Sequence, residues 1–461
     1  MGLGDAARAW VDATEGLRDE EQALLIRGVE AIETAERWAG INDQGRLTTL
    51  GPTVLALREA GRSGVGAFGV LAAALGELLV LAAAWLPEDE DRGARALAEL
   101  RSMAQRGALP PAVWASALLR RASTLLSAPQ VEDRRAEVAA LLEEQASVAG
   151  GERAWAEGLG LRGVLLQAQG QPDEALLAFQ EAGRAFGALG LARDQAITIS
   201  QIADVLAARG QLDEAIRIYR EEVLPVMERL GDAHSKAISM DKIAAVLRAQ
   251  GQLDEALRIH QEEVLPVFER LGDARAKAVT MSKIADVHQA LGQLDEANRI
   301  RKEEVLPVFE RLGDVREKAF TMSKIADVHQ ARGQLDQALR IRKEDVLPVF
   351  ERLGDVRSKA TTMSRIANVL QARGQLDQAL RIRREEVLPV YERLRLRREL
   401  LVEQANIATL LLLYRDRKRR EEARVLLTSA FHGAVELNIS PDIQHIRRLF
   451  AKHNMKAPDP R

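Results

Sequence analysis

The residues with a chemical pattern in this chain are charged or hydroxylated, and they recur every 41 positions. Ser282-Lys283 stands with Asp286, Ser323-Lys324 with Asp327, and Ser364-Arg365 with Asn368. Asp204 and Lys242 belong to looser copies of the same set. On a helix, residues three and four apart are neighbours on one face. Stacked copies would therefore make a ladder of cations, Lys242, Lys283, Lys324 and Arg365, with carboxylates beside it. Such charges suit binding of an acidic group rather than the making or breaking of bonds. The competing reading is that Lys and Asp three apart pair with each other and keep the surface soluble, worth roughly a few tenths of a kcal/mol per pair.

Little else in the chain is suited to catalysis. It has no phosphate-cradling Gly-rich loop with its Lys, no HExxH, no EF-hand loop and no Gly-x-Ser-x-Gly elbow. The absence of cysteine removes disulfides, thiol catalysis and Cys-ligated metals. His288 and His329 lie one repeat apart, with no acidic or Cys partner at a fixed offset, so they read as packing residues, as does the series Met240, Met281, Met322, Met363. No cofactor, no metal and no enzymatic activity are expected. A second basic cluster, Arg415, Arg417, Lys418, Arg419 and Arg420, follows Arg393, Arg395, Arg397 and Arg398. Phosphate contacts need such charge, but aromatics are only 4% of the chain and the net charge is −3. The cluster reads as a protein docking patch or a solvated turn before it reads as a nucleic-acid site.

The elements that must position the ladder are equally periodic. Gly-Gln-Leu-Asp-Glu/Gln-Ala begins at Gly210, Gly251, Gly292, Gly333 and Gly374, and a variant begins at Gly170. A fixed period of this length marks a solenoid, whose units bury their apolar faces only against neighbours. Within one unit, Ala319, Met322, Ile325, Ala326 and His329 share a helical face. Asp314 and Glu317 form a capping box at the start of this helix A, and Gly333 fits the left-handed position that ends it. Asp336 is the expected N-cap of helix B, which runs to Gly354. Helix B contains a proline in every repeat, at Pro225, Pro266, Pro307, Pro348 and Pro389. A proline there predicts either a kink or a helix that stops and restarts.

Small residues recur where the two helices would cross, at Ala203, Ala244, Ala285, Ala326 and Ala367. They recur again early in helix B, at Ala215, Ala256, Ala297, Ala338 and Ala379. With the turn glycines, this pattern resembles a tetratricopeptide (TPR) array. The period exceeds the family's usual 34 residues and is closer to the long repeats of kinesin-light-chain-like and bacterial arrays. The resemblance covers 170–392 and extends through weaker units over 112–437. It implies an all-α fold: a right-handed superhelical solenoid of TPR-like αα-hairpins with a C-terminal capping helix. It also implies that the helix A ladder lines a concave groove, with apolar contact from Val279 and Phe320.

The expected organisation is a divergent helical region over 1–111, degenerate repeats over 112–193, five near-identical repeats over 194–395, a degenerate repeat over 396–437, and a capping helix with tail over 438–461. In the weaker units Ala96, Ala136, Ala175 and Ala423 take the helix B alanine position, and Ser440-Pro441 opens the cap. Segment 64–86 is apolar with one charge, Glu77. It is long enough for a membrane span, but its composition and place fit a buried helix A, so a membrane partner is not expected. The N-terminus has no basic region followed by an apolar run, which suggests a cytoplasmic chain.

Residues 1–150 carry 15 Arg and no Lys against 22 Asp/Glu, or −7. Residues 391–461 carry 15 Arg/Lys against 9 Asp/Glu, or +6. The function expected is a non-enzymatic scaffold or adaptor that binds a peptide or helical segment of a partner protein, possessing acidic character, in the groove. The alternative is a regulatory subunit of a bacterial effector, docking a protease, nuclease or signalling ATPase through residues 1–150. Nucleic-acid binding, or self-assembly into a homo-oligomer through opposite-charge ends, ranks below both.

Overall fold

The computed structural model describes residues 2–37, 46–83, 90–127, 131–148, 150–414, 416–437 and 439–458. Among these residues the chain is helical and holds no strand. It divides into two compact units, Met1–Gln195 and Ala196–Arg461.

The first unit is built from successive helices that begin with Leu3–Asp12 and end with Pro172–Ala188. Leu25, Ile32, Leu57, Leu75, Leu78 and Leu118 form the centre of its main core. Gly66–Ala83 is long and apolar enough to cross a membrane. In this structure Leu71, Leu75, Leu78, Leu79 and Leu81 are buried within that core. Glu77 is neutralised by both ends of the Arg58 guanidinium at 2.8 Å. Residues 84–86 of the apolar segment lie outside the described residues. Hairpins follow at Pro111–Ser127 with Val131–Ser147 and at Glu152–Ala168 with Pro172–Ala188. Ala96 and Ala175 are buried as expected, but Ala136 is exposed, and Val138 takes the core position two residues later.

In the second unit each repeat is a hairpin of two helices. The A helices are Ala233–Ala249, Ala274–Ala290, Val315–Ala331 and Val356–Ala372. Their N-caps, Asp232, Asp273, Asp314 and Asp355, each accept a hydrogen bond from the backbone N–H three residues on. The return half of the capping box is not formed at Glu317, whose carboxylate instead lies 3.5 Å from Arg275 of the preceding repeat. Helix A ends at glycines with φ between 74° and 83°, from Gly210 to Gly374, where a side chain would be strained.

Helix B does not stop and restart at its proline. It widens into a π-helical turn immediately before the proline, at Tyr219–Val223, Ile259–Val264, Ile300–Val305, Ile341–Val346 and Arg383–Val387. In the third repeat the N–H of Leu306 reaches back five residues to the carbonyl of Arg301. The proline has no N–H to donate and would crowd the carbonyl four residues back. One i→i−5 turn moves that carbonyl away and lets the helix continue. The N-cap of helix B is also shifted. Gln334, not Asp336, precedes the first helical residue Leu335, and Asp336 sits in the first turn, where its charge favours the helix dipole.

The array ends on Arg397–Leu411, Arg417–Glu436 and Ser440–Lys452. Ile439 is the N-cap of the last helix, one residue before the expected Ser440. Ile446 and Phe450 of this helix are buried in one core with Leu427, Phe431 and Leu411, so it closes the last apolar face.

Candidate functional site

Helix A presents three parallel rows, each with one residue per repeat. The first is Arg275, Arg316, Arg357 and Arg398. Four residues on lies a row that is apolar except at Thr361: Ile238, Val279, Phe320, Thr361 and Val402. Four further on is the expected ladder, Lys242, Lys283, Lys324 and Arg365. At 100° per residue these rows lie about 40° apart on one face. Ile238 and Val402 are exposed, and Val279, Phe320 and Thr361 are half-buried.

The ladder residues do pair with carboxylates, but across the repeats and not along their own helix. Lys242 pairs with Asp204, Lys283 with Asp241, and Arg365 with Asp327. Lys324 donates to Asp286 at 2.8 Å and to Ser282 at 3.1 Å. Each cation thus bridges to the helix A before it. Arg275 pairs in the opposite direction with Asp314 at 3.1 Å, and Arg316 with Asp355 at 3.0 Å. Arg357 pairs with Glu399, and Arg398 with Asp442 at 2.9 Å. Half-exposed pairs of this kind contribute about 0–1 kcal/mol each. Ser282 and Ser323 are buried between the helices. Ser364 donates to Glu403 at 2.8 Å, and Asn368 accepts from Arg383.

Beneath the carboxylates lies a position that sequence reading overlooked. The residue opening or entering each π turn is Tyr219, His260, Arg301, Arg342 or Arg383, and all five are buried. Arg301 donates to Asp286 at 2.6 Å and to Gln289 at 2.7 Å. Arg342 donates to Asp327 at 2.5 Å and to Gln330 at 2.9 Å. Arg383 is 1% exposed and donates to Glu403, itself 2% exposed, at 2.6 Å. Tyr219 donates to Asp204 at 2.5 Å, and burial beside that carboxylate pushes its hydroxyl pKa up. His260 Nδ1 stands 3.5 Å from Asp241 Oδ1. Burial, reinforced by Lys283 and Arg248, lowers the imidazole pKa to about 4, so it is neutral near pH 7. Asp286 and Asp327 are therefore each held by two cations, one below and one from the next repeat. Comparing the chain with itself at the 41-residue offset would have exposed this series, since it varies where its surroundings do not.

The other singled-out residues fall elsewhere. His329 is buried and its Nδ1 lies 2.5 Å from the Gln334 side chain, while His288 makes the same contact to Gln293. Of the second basic cluster, Arg415 lies outside the described residues. Arg417, Lys418, Arg419 and Arg420 open the helix Arg417–Glu436, with Asp416 capping the N–H groups of Lys418 and Arg419. The Arg419 guanidinium stacks 3.6 Å from the Tyr414 ring centroid, and Arg420 donates to the His453 carbonyl at 2.9 Å. This cluster is separate from the three rows.

The hairpin geometry agrees with comparison to known proteins. Residues 194–264 match the tetratricopeptide repeat family. These are tetratricopeptide-like repeats. A Rap protein complexed with competence and sporulation factor has a similar fold, with a TM-score of 0.54 and 13% identity over 84% of this chain and 100% of that one. A kinesin light chain from Podosopora anserina with nearly identical TPR-like repeats aligns at 22% identity over 42% of this chain and 94% of that one, with a TM-score of 0.34. A signal transduction ATPase with numerous domains and a tetratricopeptide repeat sensor, from Pyrococcus horikoshii, aligns at 12% identity over 96% of this chain and 65% of that one, with a TM-score of 0.49. No curated protein sequence matches the chain. Tetratricopeptide-like solenoids generally serve as interaction scaffolds, because stacking repeats builds an extended surface.

Proposed function

We propose that the helix A face of residues 196–461 holds a segment of another protein, and that the chain acts as a non-enzymatic adaptor. The observation that carries this reading is the three-row face: Val279, Phe320 and Thr361 are each flanked on both sides by cations, and Ile238 and Val402 extend the strip with a cation on one side. A peptide with apolar side chains for the strip and acidic ones for the flanks is complementary to it. The inter-repeat carboxylates lower the net charge of the face but leave the cations outermost. Lys283 is 37% exposed against 14% for Asp241, and Lys324 34% against 21% for Asp286. The similar Rap protein was obtained in complex with competence and sporulation factor, which is in keeping with capture of a factor by such a fold.

The test is a pull-down of the tagged intact chain from its native cells at low and moderate salt, beside a Lys283→Glu, Lys324→Glu variant. One dominant partner, lost as salt rises and absent from the variant at unchanged helicity, is expected. A partner retained equally by both forms would refute groove capture.

A further inference from the structure

The middle row changes character at Thr361. A cavity of about 270 Å³ opens between the A helices Val315–Ala331 and Val356–Ala372. Its floor is aromatic, made by Phe320 and Phe350 with ring centroids 5.1 Å apart. Its rim carries three guanidiniums, those of Arg316, Arg357 and Arg365.

The sequence says why the space is open here. Ser358 and Thr361 line this cavity, whereas the preceding copy of the repeat has Glu317 and Phe320 at the matching positions. A carboxylate and a phenyl ring are thereby exchanged for two small hydroxylated side chains. Among near-identical copies this change removes bulk and negative charge from the same spot.

The charge presented to the cavity is positive. Arg316 pairs with Asp355, Arg357 with Glu399 and Arg365 with Asp327. In all three pairs the cation is the more exposed partner, at 39% against 1%, 46% against 30% and 39% against 29%. The carboxylates thus lie behind the guanidiniums. The Arg316 and Arg365 guanidiniums each have five N–H donors in a planar fork, more than one carboxylate engages. The Arg316 guanidinium also lies 5.1 Å from the Phe320 ring centroid, so cationic rim and aromatic floor are continuous.

We propose that this cavity binds an oxyanion group, carboxylate or phosphate, on a side chain of the captured peptide, with an adjoining apolar side chain on Phe320. The proposal rests on the groove reading and adds its anchor point. Planar guanidinium forks match the oxygens of either group, and charge-assisted bonds are the stronger kind.

The test uses the intact chain and three immobilised nonapeptide libraries with degenerate flanks. The central residue is aspartate, phosphoserine or asparagine. The key variant is Ser358→Glu with Thr361→Phe, which installs the pair that the preceding repeat already carries in a folded unit. Arg357→Gln is the companion that keeps the cavity and removes a cation. The wild type is expected to prefer the aspartate or the phosphoserine library over asparagine by roughly tenfold or more, the scale of one lost charge-assisted bond. Which of the two it prefers identifies the source of the oxyanion. Both variants should lose that preference, and the filled variant should still retain the asparagine library. Equal retention of all three libraries by the wild type, or a preference that survives filling, overturns the cavity alone. Retention of none overturns the groove reading and the cavity with it.

Discussion

His260 should make the middle of the array sensitive to mild acid. Its imidazole is buried in helix B, with Asp241 at 3.5 Å and with Lys283, Arg248 and Asp286 as the other charges acting on it. Burial lowers its pKa to about 4, against an ordinary value of about 6.5 in the unfolded chain. The unfolded form therefore takes up a proton before the folded form does. Stability from this group is complete above the unfolded pKa and falls as pH drops toward the folded one. Moving from about pH 7.5 to about pH 5 should cost about 2 kcal/mol, a factor of about 30 in local opening. Repeat arrays open piecemeal, so the assay should be local. Amide hydrogen exchange of peptides spanning 233–270, corrected for intrinsic rates, gives the opening free energy at both pH values. His260→Gln should remove about that much of the pH dependence relative to the wild type. Parallel pH profiles in the two proteins would refute the reasoning.

Three further outcomes can be checked. Glu403→Leu strands the Arg383 guanidinium in a site where both partners are almost fully buried, so about 3–5 kcal/mol of local stability should be lost by hydrogen exchange over 376–411. Adding Arg383→Leu should restore most of it, and a double variant no better than the single would count against a buried ion pair. Arg395 has φ 53° at the position held by Gly231, Gly272, Gly313 and Gly354 in earlier repeats; Arg395→Gly should stabilise by about 1 kcal/mol in urea, and no gain would mean that the Arg side chain offsets its backbone strain. Salt should weaken partner capture steeply through the two cation rows, because half-exposed charges are screened within about 10 Å at 0.1 M; salt-independent binding measured by calorimetry would shift weight to the apolar strip.

The period, the two helices of each unit, the glycine turns and the core alanines at Ala203 and Ala326 were legible because each follows from local periodicity or from backbone limits on one residue. The proline was legible as a defect but not as a π turn, since the same residue type permits a kink, a break or an i→i−5 bond, and the choice depends on what the widened turn can bury. Lys283 and Asp286 were visible as a pair three apart. Their actual partners, Asp241 and Lys324, come from neighbouring repeats, and only the stacking of the hairpins sets that. Ala136 failed for a related reason: with a drifting period, an alanine at about the right offset can lie on the wrong face. Membership of the Arg316 row was masked by ordinary surface composition, because an arginine near a helix start carries no signal until its neighbours stack.

The buried residue at each π turn also bears on how such a chain assembles at all. Near-identical hairpin halves are interchangeable in principle, within one molecule or between two, and swapped assembly is a characteristic failure of repeat proteins. Here some of the halves are tagged. The repeat with His260 has its acid at Asp241 and an alanine, Ala245, where the next two repeats place Asp286 and Asp327 against Arg301 and Arg342. A helix B carrying Arg301 that docked on the helix A of Ala233–Ala249 would meet Ala245 in place of Asp286, with Asp241 one turn earlier as the acid there. At the far end Arg383 meets Asn368 on its own helix A and takes its acid, Glu403, from the next one. Three units thus carry an interior pairing of their own, at Tyr219, His260 and Arg383, whereas the units of Arg301 and Arg342 share one and stay interchangeable at this position.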